Sequence, residues 1–199
     1  MAEAMVQGLL SRKLLSSKSI TVAEPRQERR KELEQKYGVK TTANNREAAK
    51  SGKILVFSIK PQDLDSVLLS LKGALRTEQM IMSIVAGARV GTICKGVGHS
   101  SVVRVMPNTP AQIGEGMSVW TATRSVSKDQ LKQARTILQA LGKELYASEE
   151  KFLDMATAVS GTGPTYVSWL WRQWLTLPST WASRGTWHTS WSLKRCVGP

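Results

Sequence analysis

Three nearly continuous apolar runs, separated by stretches with helical spacing, constrain the fold of this chain more than any other feature. The runs are KILVFSI (53–59), MIMSIVAG (80–87) and SVVRVMPNTP (101–110), and each ends in a turn of Pro, Gly or polar residues. A continuous apolar run is typical of a strand that is buried on both faces. Strands that alternate with helices predict a parallel α/β sheet.

Weaker patterns predict the elements around these strands. Residues 1–14 have helical spacing with no strand before them, and SITVA (19–23) indicates a short strand. A charged helix is expected next and ends at Gly38, in the usual C-terminal position for glycine. This charged helix covers 26–37. The other expected elements are helices over 46–50 (capped by Asn44 and Asn45), 63–71 and 128–141, and a last strand in KELYAS (143–148).

Composition excludes several classes of protein. The chain has 199 residues and a formal net charge of +13, but its basic and acidic residues interleave up to Asp154, as on a solvated surface. No apolar run approaches the length of a membrane span, and two cysteines without paired spacing indicate neither a disulfide framework nor a metal site. We therefore expect a cytoplasmic protein with no membrane or nucleic-acid partner and no metal, and we expect His99 and His188 at its surface.

Ligands of an open parallel sheet bind beyond the carboxyl ends of its strands. The residues that follow the predicted strands are therefore the candidate site: Glu24–Pro25, residues 58–61, residues 85–87 and residues 106–110. Any single Pro or Gly among them is explained by turn chemistry alone. Four successive strands with such ends favour a binding site, because a flat cofactor needs short side chains and exposed backbone amides.

Four motifs in a fixed order resemble the pyrroline-5-carboxylate reductase family. They are VFSIKPQ (56–62), SIVAG (83–87), RVMPNTPAQIGEGM (104–117) and FLDMATAVSGTGPTYV (152–167), and the resemblance covers residues 1–167. Members of the family reduce 1-pyrroline-5-carboxylate to L-proline with NADPH or NADH. The resemblance implies a Rossmann-like dinucleotide-binding domain over 1–150, the start of an all-helical dimerisation domain over 151–167, and a homo-oligomer.

The resemblance also implies roles for individual residues, none of them catalytic. Asn45 corresponds to a polar residue near the adenosine, and Val85 and Ala86 to a small pair beside the nicotinamide. A turn over the dinucleotide corresponds to Ser58, Ile59, Lys60 and Pro61, and the entrance to the substrate pocket to Met106, Asn108, Thr109 and Pro110.

Two readings of the cofactor preference stay open. Glu24 corresponds to the end of the second strand of the family, where a carboxylate holds a ribose 2′-hydroxyl and favours NAD. The nearby Arg26, Arg29 and Arg30 could instead hold the 2′-phosphate of NADP. Solvated charge on a helix is the simpler explanation of these arginines.

The beginning of the chain departs from the family pattern. Family members begin with a strand and a GxGxM turn that leads into AEA, whereas this sequence begins with MAEA. We therefore expect an N-terminally truncated, Rossmann-like sheet that lacks its first strand and the glycine turn for the pyrophosphate.

The end of the chain departs in another way. Six of the seven tryptophans lie after Val167, and no acidic residue follows Asp154. Since every Trp codon is TGG, the frame shifted by one base can be partly reconstructed, and it gives the helical pattern of the family. We expect a frameshift near codon 167 and an irregular tail over 168–199 without an evolved function. Reductase activity and the homo-oligomer should then be impaired, and a noncatalytic interaction module is the alternative function.

Overall fold

The computed structural model of the chain describes residues 1–175. These residues alternate between helices and strands over most of their length, as the apolar runs predict. In chain order the elements are α1 (Ala2–Ser11), β1 (Thr21–Ala23), α2 (Gln27–Tyr37), β2 (Lys40–Thr42), α3 (Asn45–Ser51), β3 (Ile54–Phe57), α4 (Leu64–Leu71), β4 (Met80–Ser83), α5 (Val90–Val97), β5 (Val102–Met106), β6 (Gly116–Ala122), α6 (Lys128–Gln139), β7 (Gly142–Tyr146), α7 (Lys151–Ala156) and α8 (Gly163–Leu175).

The strands form two separate sheets. One has five strands in the order β3-β4-β5-β6-β7, and the other pairs β1 with β2 in parallel. Within the larger sheet β3, β4 and β5 are parallel neighbours, whereas β6 is antiparallel to β5. A parallel sheet was expected, and no strand was predicted over Gly116–Ala122. This strand is antiparallel to β5 because the connection between Met106 and Gly116 is short. A parallel crossover needs a dozen or more residues.

Helices cover both faces of the larger sheet. The β4 residues Met80, Ile81 and Met82 are fully buried. Ile81 packs in one apolar cluster with side chains of α4 and α5, while Met80 and Met82 pack in another with side chains of α1 and α6. This three-layer arrangement confirms the predicted Rossmann-like α/β class.

Local sequence signals explain where two of the predicted helices begin and end. α2 ends at Gly38, whose φ of 65° lies in the left-handed region that glycine adopts at little cost. α6 begins with a capping box, in which Ser127 Oγ accepts from the Gln130 N–H and the Gln130 side chain accepts from the Ser127 N–H. The charged and amphipathic helices of the sequence are therefore present, with bounds shifted by one or two residues.

Three helical segments follow the sheet. α7 is continued by a π-helical turn, Thr157–Gly161, and then by α8. The contacts divide the chain into two units, Met1–Pro164 and Thr165–Pro199, and in the second unit residues up to Leu175 are helical. The remainder of the predicted irregular tail, including His188, lies outside the described residues.

Candidate active site

Three of the four predicted turns meet at one edge of the sheet. The strands β3, β4 and β5 are parallel neighbours, with Phe57 opposite Ser83 and Ser83 opposite Arg104. The Ile84 N–H donates to the Phe57 carbonyl at 3.0 Å, so the first two turns begin side by side. The structure thus brings together residues 58–61, 85–86 and 106–110 at the carboxyl ends of these strands.

The turn after β3 combines half-buried and exposed residues. Ser58 and Ile59 are half-buried and Lys60 is exposed. A 3-10 turn begins at Pro61, where the Asp63 N–H donates to the Lys60 carbonyl at 3.0 Å. Proline suits this first position because its fixed φ matches the turn. The carbonyl of Lys60 is therefore engaged, while its side chain is exposed.

The turn after β4 is small and open. Val85 is buried, and its N–H donates to Ser83 Oγ at 3.3 Å, whereas Ala86 and Gly87 are exposed. Gly87 has a φ of 73°, which a residue with a Cβ adopts only under strain. The chain turns back there, because the Ala88 N–H donates to the Val85 carbonyl at 3.3 Å. The result is an exposed surface without bulky side chains, suited to a flat ring.

Asn108 fixes the turn after β5 from two sides. Its Oδ1 accepts from the Met117 N–H at 2.9 Å, and its Nδ2 donates to the Ser160 carbonyl at 3.2 Å. A Cβ on Gly161 would lie 3.1 Å from the Met106 methyl group, so the π-helical turn packs closely against the end of β5. The exposed Thr109 and the half-buried Pro110 then begin a 3-10 turn. One amide side chain therefore ties the helical segment to the edge of the sheet.

The fourth predicted turn lies on the smaller sheet. The Glu24 carboxylate accepts from Nε and from the backbone N–H of Arg26, at 3.0 and 3.1 Å. The side-chain bond from Arg26 is the main reason why the pKa of Glu24 is lowered. Arg30 donates to the carbonyls of Glu24 and Pro25, both at 2.8 Å. Glu24 thus lies with Arg26 and Arg30 at the end of the smaller sheet.

Arg29 makes its ion pairs away from Glu24. Its guanidinium pairs with Glu32, at 2.6 Å, and with Glu3 of α1. Arg29 is one of the three arginines that could hold a 2′-phosphate, but its guanidinium already joins α2 to α1 through Glu3.

A cavity of about 880 Å³ lies between the two sheets. Its lining includes Asn45, Ser58 and Ile59 together with residues of β1 and β3. Asn45 is the first residue of α3, and the helix is capped by its neighbour Asn44, whose Oδ1 accepts from the Arg46 and Glu47 N–H groups. The predicted site residues on either side of this cavity therefore share one space.

His99 is not at the surface as expected. It is only 9% exposed, and its Nε2 lies 2.7 Å from the carbonyl of Gln79, the residue before β4. This contact places His99 at the amino end of the sheet, away from the predicted site. The sequence shows no pattern around His99 that indicates its hydrogen-bonding contact with the Gln79 carbonyl.

The sequence analysis also missed an ionic network beside the site. Arg104, 3% exposed within β5, donates to Glu150 at 2.8 Å and to Asp154 at 3.0 Å. The Glu150 Oε1 also accepts from the Val90 N–H at 2.8 Å. A charged residue inside the apolar run SVVRVM was the available signal, because a buried guanidinium needs carboxylate partners.

The described residues carry no group suited to a metal ion. Within 1–175 no cluster of three or more His, Cys, Asp or Glu side chains could hold one, and no helix of that range is long and apolar enough to cross a bilayer.

Comparison with known proteins points to one kind of enzyme. Residues 1–87 match the family model described as NADP oxidoreductase, coenzyme F420-dependent. The pyrroline-5-carboxylate reductase of Synechocystis sp. is 39% identical over 168 residues, which are 84% of this chain and 62% of that protein.

Solved structures agree with this result. The pyrroline-5-carboxylate reductase of Coxiella burnetii has a TM-score of 0.81 at 30% identity, over 86% of this chain and 64% of that one. The pyrroline carboxylate reductase of Plasmodium falciparum, solved with NADP bound, has a TM-score of 0.76 at 27% identity, over 86% of this chain and 62% of that one. The chain thus spans less than two thirds of the length of these relatives.

Proposed function

Because this chain belongs to the pyrroline-5-carboxylate reductase family, we propose that its α/β unit binds NAD(P)H and that the protein reduces 1-pyrroline-5-carboxylate to L-proline. One observation carries the proposal: three turns meet at one sheet edge, and the middle turn, at Val85, Ala86 and Gly87, is small and open. Such an edge suits a flat nicotinamide ring, and the relative from Plasmodium falciparum was solved with NADP bound.

Each turn has its own role in this proposal. Val85 and Ala86 contact the nicotinamide, and Asn45 lies on the adenosine side. Ser58, Ile59, Lys60 and Pro61 follow the dinucleotide, while Met106, Asn108, Thr109 and Pro110 border the imine substrate. The cofactor supplies the hydride, and the residues of the chain orient the two reactants and exclude water. No catalytic residue is assigned.

The choice between NAD and NADP depends on the Glu24–Arg26 pair. A carboxylate at the end of this strand favours a ribose 2′-hydroxyl, whereas a guanidinium favours a 2′-phosphate. Arg26 is 74% exposed and Glu24 20% exposed in their side chains. The more accessible group is the arginine, and both cofactors remain in the proposal.

We also propose a domain boundary at residue 150. The homo-oligomer of the family is built on the helical segment that begins at 151, and we propose that it is impaired in this chain. Three large apolar side chains support an interface on this segment: Phe152, Met155 and Val159 are 39%, 64% and 75% exposed. Apolar residues at such helical spacing are typical of a face that is covered by another helix. The proposal includes a cytoplasmic location and no nucleic-acid partner.

A cofactor titration with a parallel turnover assay tests the function. The 199-residue chain is titrated with NADPH and NADH, and pyrroline-5-carboxylate-dependent oxidation of each is then recorded. We expect saturable binding with low turnover. Ala86→Leu should weaken binding about tenfold because it fills the nicotinamide surface, whereas Ser66→Leu, at an exposed position of α4, should leave binding unchanged. A folded chain that binds neither cofactor contradicts the proposal and favours the interaction module.

A further inference from the structure

One carboxylate oxygen joins the helix that follows the proposed nicotinamide turn to the neighbouring strand. Glu150 Oε1 accepts from the Val90 N–H at 2.8 Å and from Nη1 of Arg104 at 2.8 Å. Val90 is the first residue of α5, and Arg104 lies within β5. Asp154 pairs with the same guanidinium, at 3.0 Å from Nη2. Of these two carboxylates, the one that accepts from Val90 is Glu150.

Helix α5 has no local cap for its first turn. The residue before it is Arg89, which is extended (φ −72°, ψ 146°) and whose side chain makes no capping hydrogen bond. Ser, Thr, Asp and Asn usually accept from the N–H groups of a first turn, whereas an arginine side chain has no acceptor. The partial positive charge of a helix N-terminus favours a carboxylate there. Glu150 therefore supplies, from 60 residues along the chain, an acceptor that the local sequence lacks.

Arg104 lies on the face of the sheet that α5 covers. Side chains alternate along a strand, and Val102 packs in the apolar cluster that contains Ile93 of α5, whereas Val103 packs in the cluster on the other face. Arg104 is therefore directed toward α5, where its side chain is 3% exposed. Because a buried guanidinium needs carboxylate partners, the end of β5 fixes the position of Glu150.

The proposed nicotinamide turn leads directly into the anchored end of α5. Residues 85–87 are followed by buried Ala88, and Arg89 alone separates Ala88 from Val90. The Ala88 N–H donates to the Val85 carbonyl at 3.3 Å, a long hydrogen bond. The turn is therefore held at one end by β4 and at the other by the first residue of α5. If the start of α5 moved, the turn would move with it.

Glu150 also lies at the start of the helical segment that borders the proposed substrate side. It is the residue before α7 (Lys151–Ala156). The π-helical turn after α7 is tied to the turn after β5, because Asn108 Nδ2 donates to the Ser160 carbonyl at 3.2 Å. Hydride transfer requires the nicotinamide and the imine in contact and in one orientation. A group that connects both sides is placed to control that geometry.

We propose that Glu150 is a positioning residue of the reductase: its carboxylate anchors the first turn of α5 to β5 and thereby fixes residues 85–87 against the nicotinamide ring. It acts through α5 and β5 and touches neither reactant. This inference rests on the proposed function, because it concerns the nicotinamide half of NAD(P)H. Asn45 and Glu24, proposed for the adenosine half, lie on α3 and after β1. The adenosine half should therefore not depend on Glu150.

Paired nucleotide titrations on the full 199-residue chain test the proposal. NADPH and NADH are compared by calorimetry with 2′-phospho-ADP-ribose and ADP-ribose, which lack the nicotinamide ring. Glu150→Ala should weaken the two cofactors about fivefold and leave the ring-free nucleotides unchanged, because only the ring contacts the released turn. Asp154→Ala is the matched control. It removes the carboxylate that does not accept from Val90, and it should change neither affinity.

Val90→Pro tests the hydrogen bond itself if Glu150→Ala does not fold. Proline suits the first position of a helix, and the extended conformation of Arg89 is the one favoured before proline. The variant deletes the Val90 N–H but leaves the Arg104–Glu150 pair in place, so it should reproduce the loss of cofactor affinity. Val90→Ala retains the N–H and should bind the cofactors more tightly than Val90→Pro. Wild-type cofactor affinity in Val90→Pro contradicts the proposal.

Glu150→Gln separates positioning from stability. Both hydrogen bonds end on the same atom, Oε1, so the amide oxygen of glutamine can accept both of them although the charge is lost. The variant should therefore be less stable than the wild type and still bind the cofactors more tightly than Glu150→Ala. A role in stability alone predicts the same cofactor affinity for both variants, and that result would overturn the proposal.

Amide hydrogen exchange shows the effect without a cofactor. In Glu150→Ala the N–H groups of Ala88 and Val90 should exchange faster, because the first turn of α5 loses its anchor. The Met80 N–H, which donates to the Lys53 carbonyl at 3.0 Å within the sheet, should not change. Unaltered exchange at Ala88 would show that the turn does not depend on Glu150.

The wild-type titration distinguishes this inference from the proposed function. A folded wild-type chain that binds neither the cofactors nor the ring-free nucleotides contradicts the function, and the positioning role with it. A wild-type chain that binds the cofactors, with equal affinity in Glu150→Ala and Val90→Pro, contradicts the positioning role and leaves the proposed function intact.

Discussion

Arg104 donates from Nη1 to Oε1 of Glu150 at 2.8 Å, and this pair joins the buried sheet to the helical segment that follows it. The guanidinium is 3% exposed, while Glu150 and Asp154 are 32% and 59% exposed. Glu150 also accepts from the Val90 N–H, the first of α5. One carboxylate therefore connects β5, α5 and α7 beside the proposed site.

The two carboxylates of this network should differ in their contribution to stability. Glu150→Gln should lower the free energy of unfolding by about 1–2 kcal/mol, because it removes half of the charge that compensates buried Arg104. Asp154→Asn should cost less than about 0.5 kcal/mol, since Asp154 is mostly solvated. Urea unfolding of both variants measures the difference. Equal losses would show that Glu150 has no special place in the network.

Glu3 should make stability depend on acid pH. Hydrogen bonds from Tyr37 and Lys36, with a further one from Arg29, lower its pKa from 4.5 to about 2. Because the pKa of Glu3 is lower in the folded state than in the unfolded state, ionised Glu3 stabilises the protein at pH values above its unfolded-state pKa. This stabilisation is lost as the pH falls from about 4.5 toward 2. Unfolding experiments between pH 6 and pH 2 should therefore show a flatter pH dependence for Glu3→Gln.

The control for this prediction is Glu28→Gln, which changes an exposed carboxylate on α2. Its pH profile should follow that of the wild type. If Glu3→Gln also follows the wild type, the contacts between α1 and α2 do not hold Glu3 ionised.

Asn108 should stabilise the turn after β5 through both ends of its amide. Asn108→Ala removes the bonds to Met117 and Ser160, and we expect a loss of about 1–2 kcal/mol in the free energy of unfolding. The Met117 amide should also exchange faster with solvent. Thr109→Ala, at an exposed neighbour, should change stability by less than about 0.5 kcal/mol. Unaltered exchange at Met117 would contradict the role of Asn108.

Glu24 should influence the preference between the two cofactors. Glu24→Gln removes a negative charge near the proposed 2′ position, so NADPH should gain about 1 kcal/mol relative to NADH, or roughly fivefold in the ratio of dissociation constants. Calorimetric titration of both cofactors measures this ratio. The exposed Glu28→Gln is again the control, and an unchanged ratio in Glu24→Gln would place the ribose elsewhere.

The apolar runs predicted the central strands and the turns at their ends, because burial on both faces requires continuous hydrophobicity. The same reasoning missed β2, whose sequence is Lys-Thr-Thr, β6 (Gly116–Ala122), and α5, which contains Gly91 and Gly96. Partly exposed edge strands and short helices packed on the core obtain their stability from tertiary contacts that local patterns do not contain.

The pairing direction of β6 follows from the length of its connection and not from its side-chain pattern. The period of side chains along β6 is the same for either direction, but the short connection between Met106 and Gly116 makes it antiparallel to β5. The sequence predicted the positions of the site turns correctly. The turns at Ser58, Val85 and Met106 lie together because parallel strands end at one edge of the sheet. Their contacts with a cofactor remain a prediction.

Mapping of NADPH onto the backbone amides tests the central claim most directly. The ¹⁵N-labelled chain is titrated with NADPH while amide chemical shifts are recorded. We predict saturable shifts at Ser58, Ile59, Lys60, Val85 and Ala86, with none at His99 on the opposite edge of the sheet. Saturable shifts confined to the His99 edge, or none at all, would contradict a dinucleotide site at the carboxyl ends of β3 and β4.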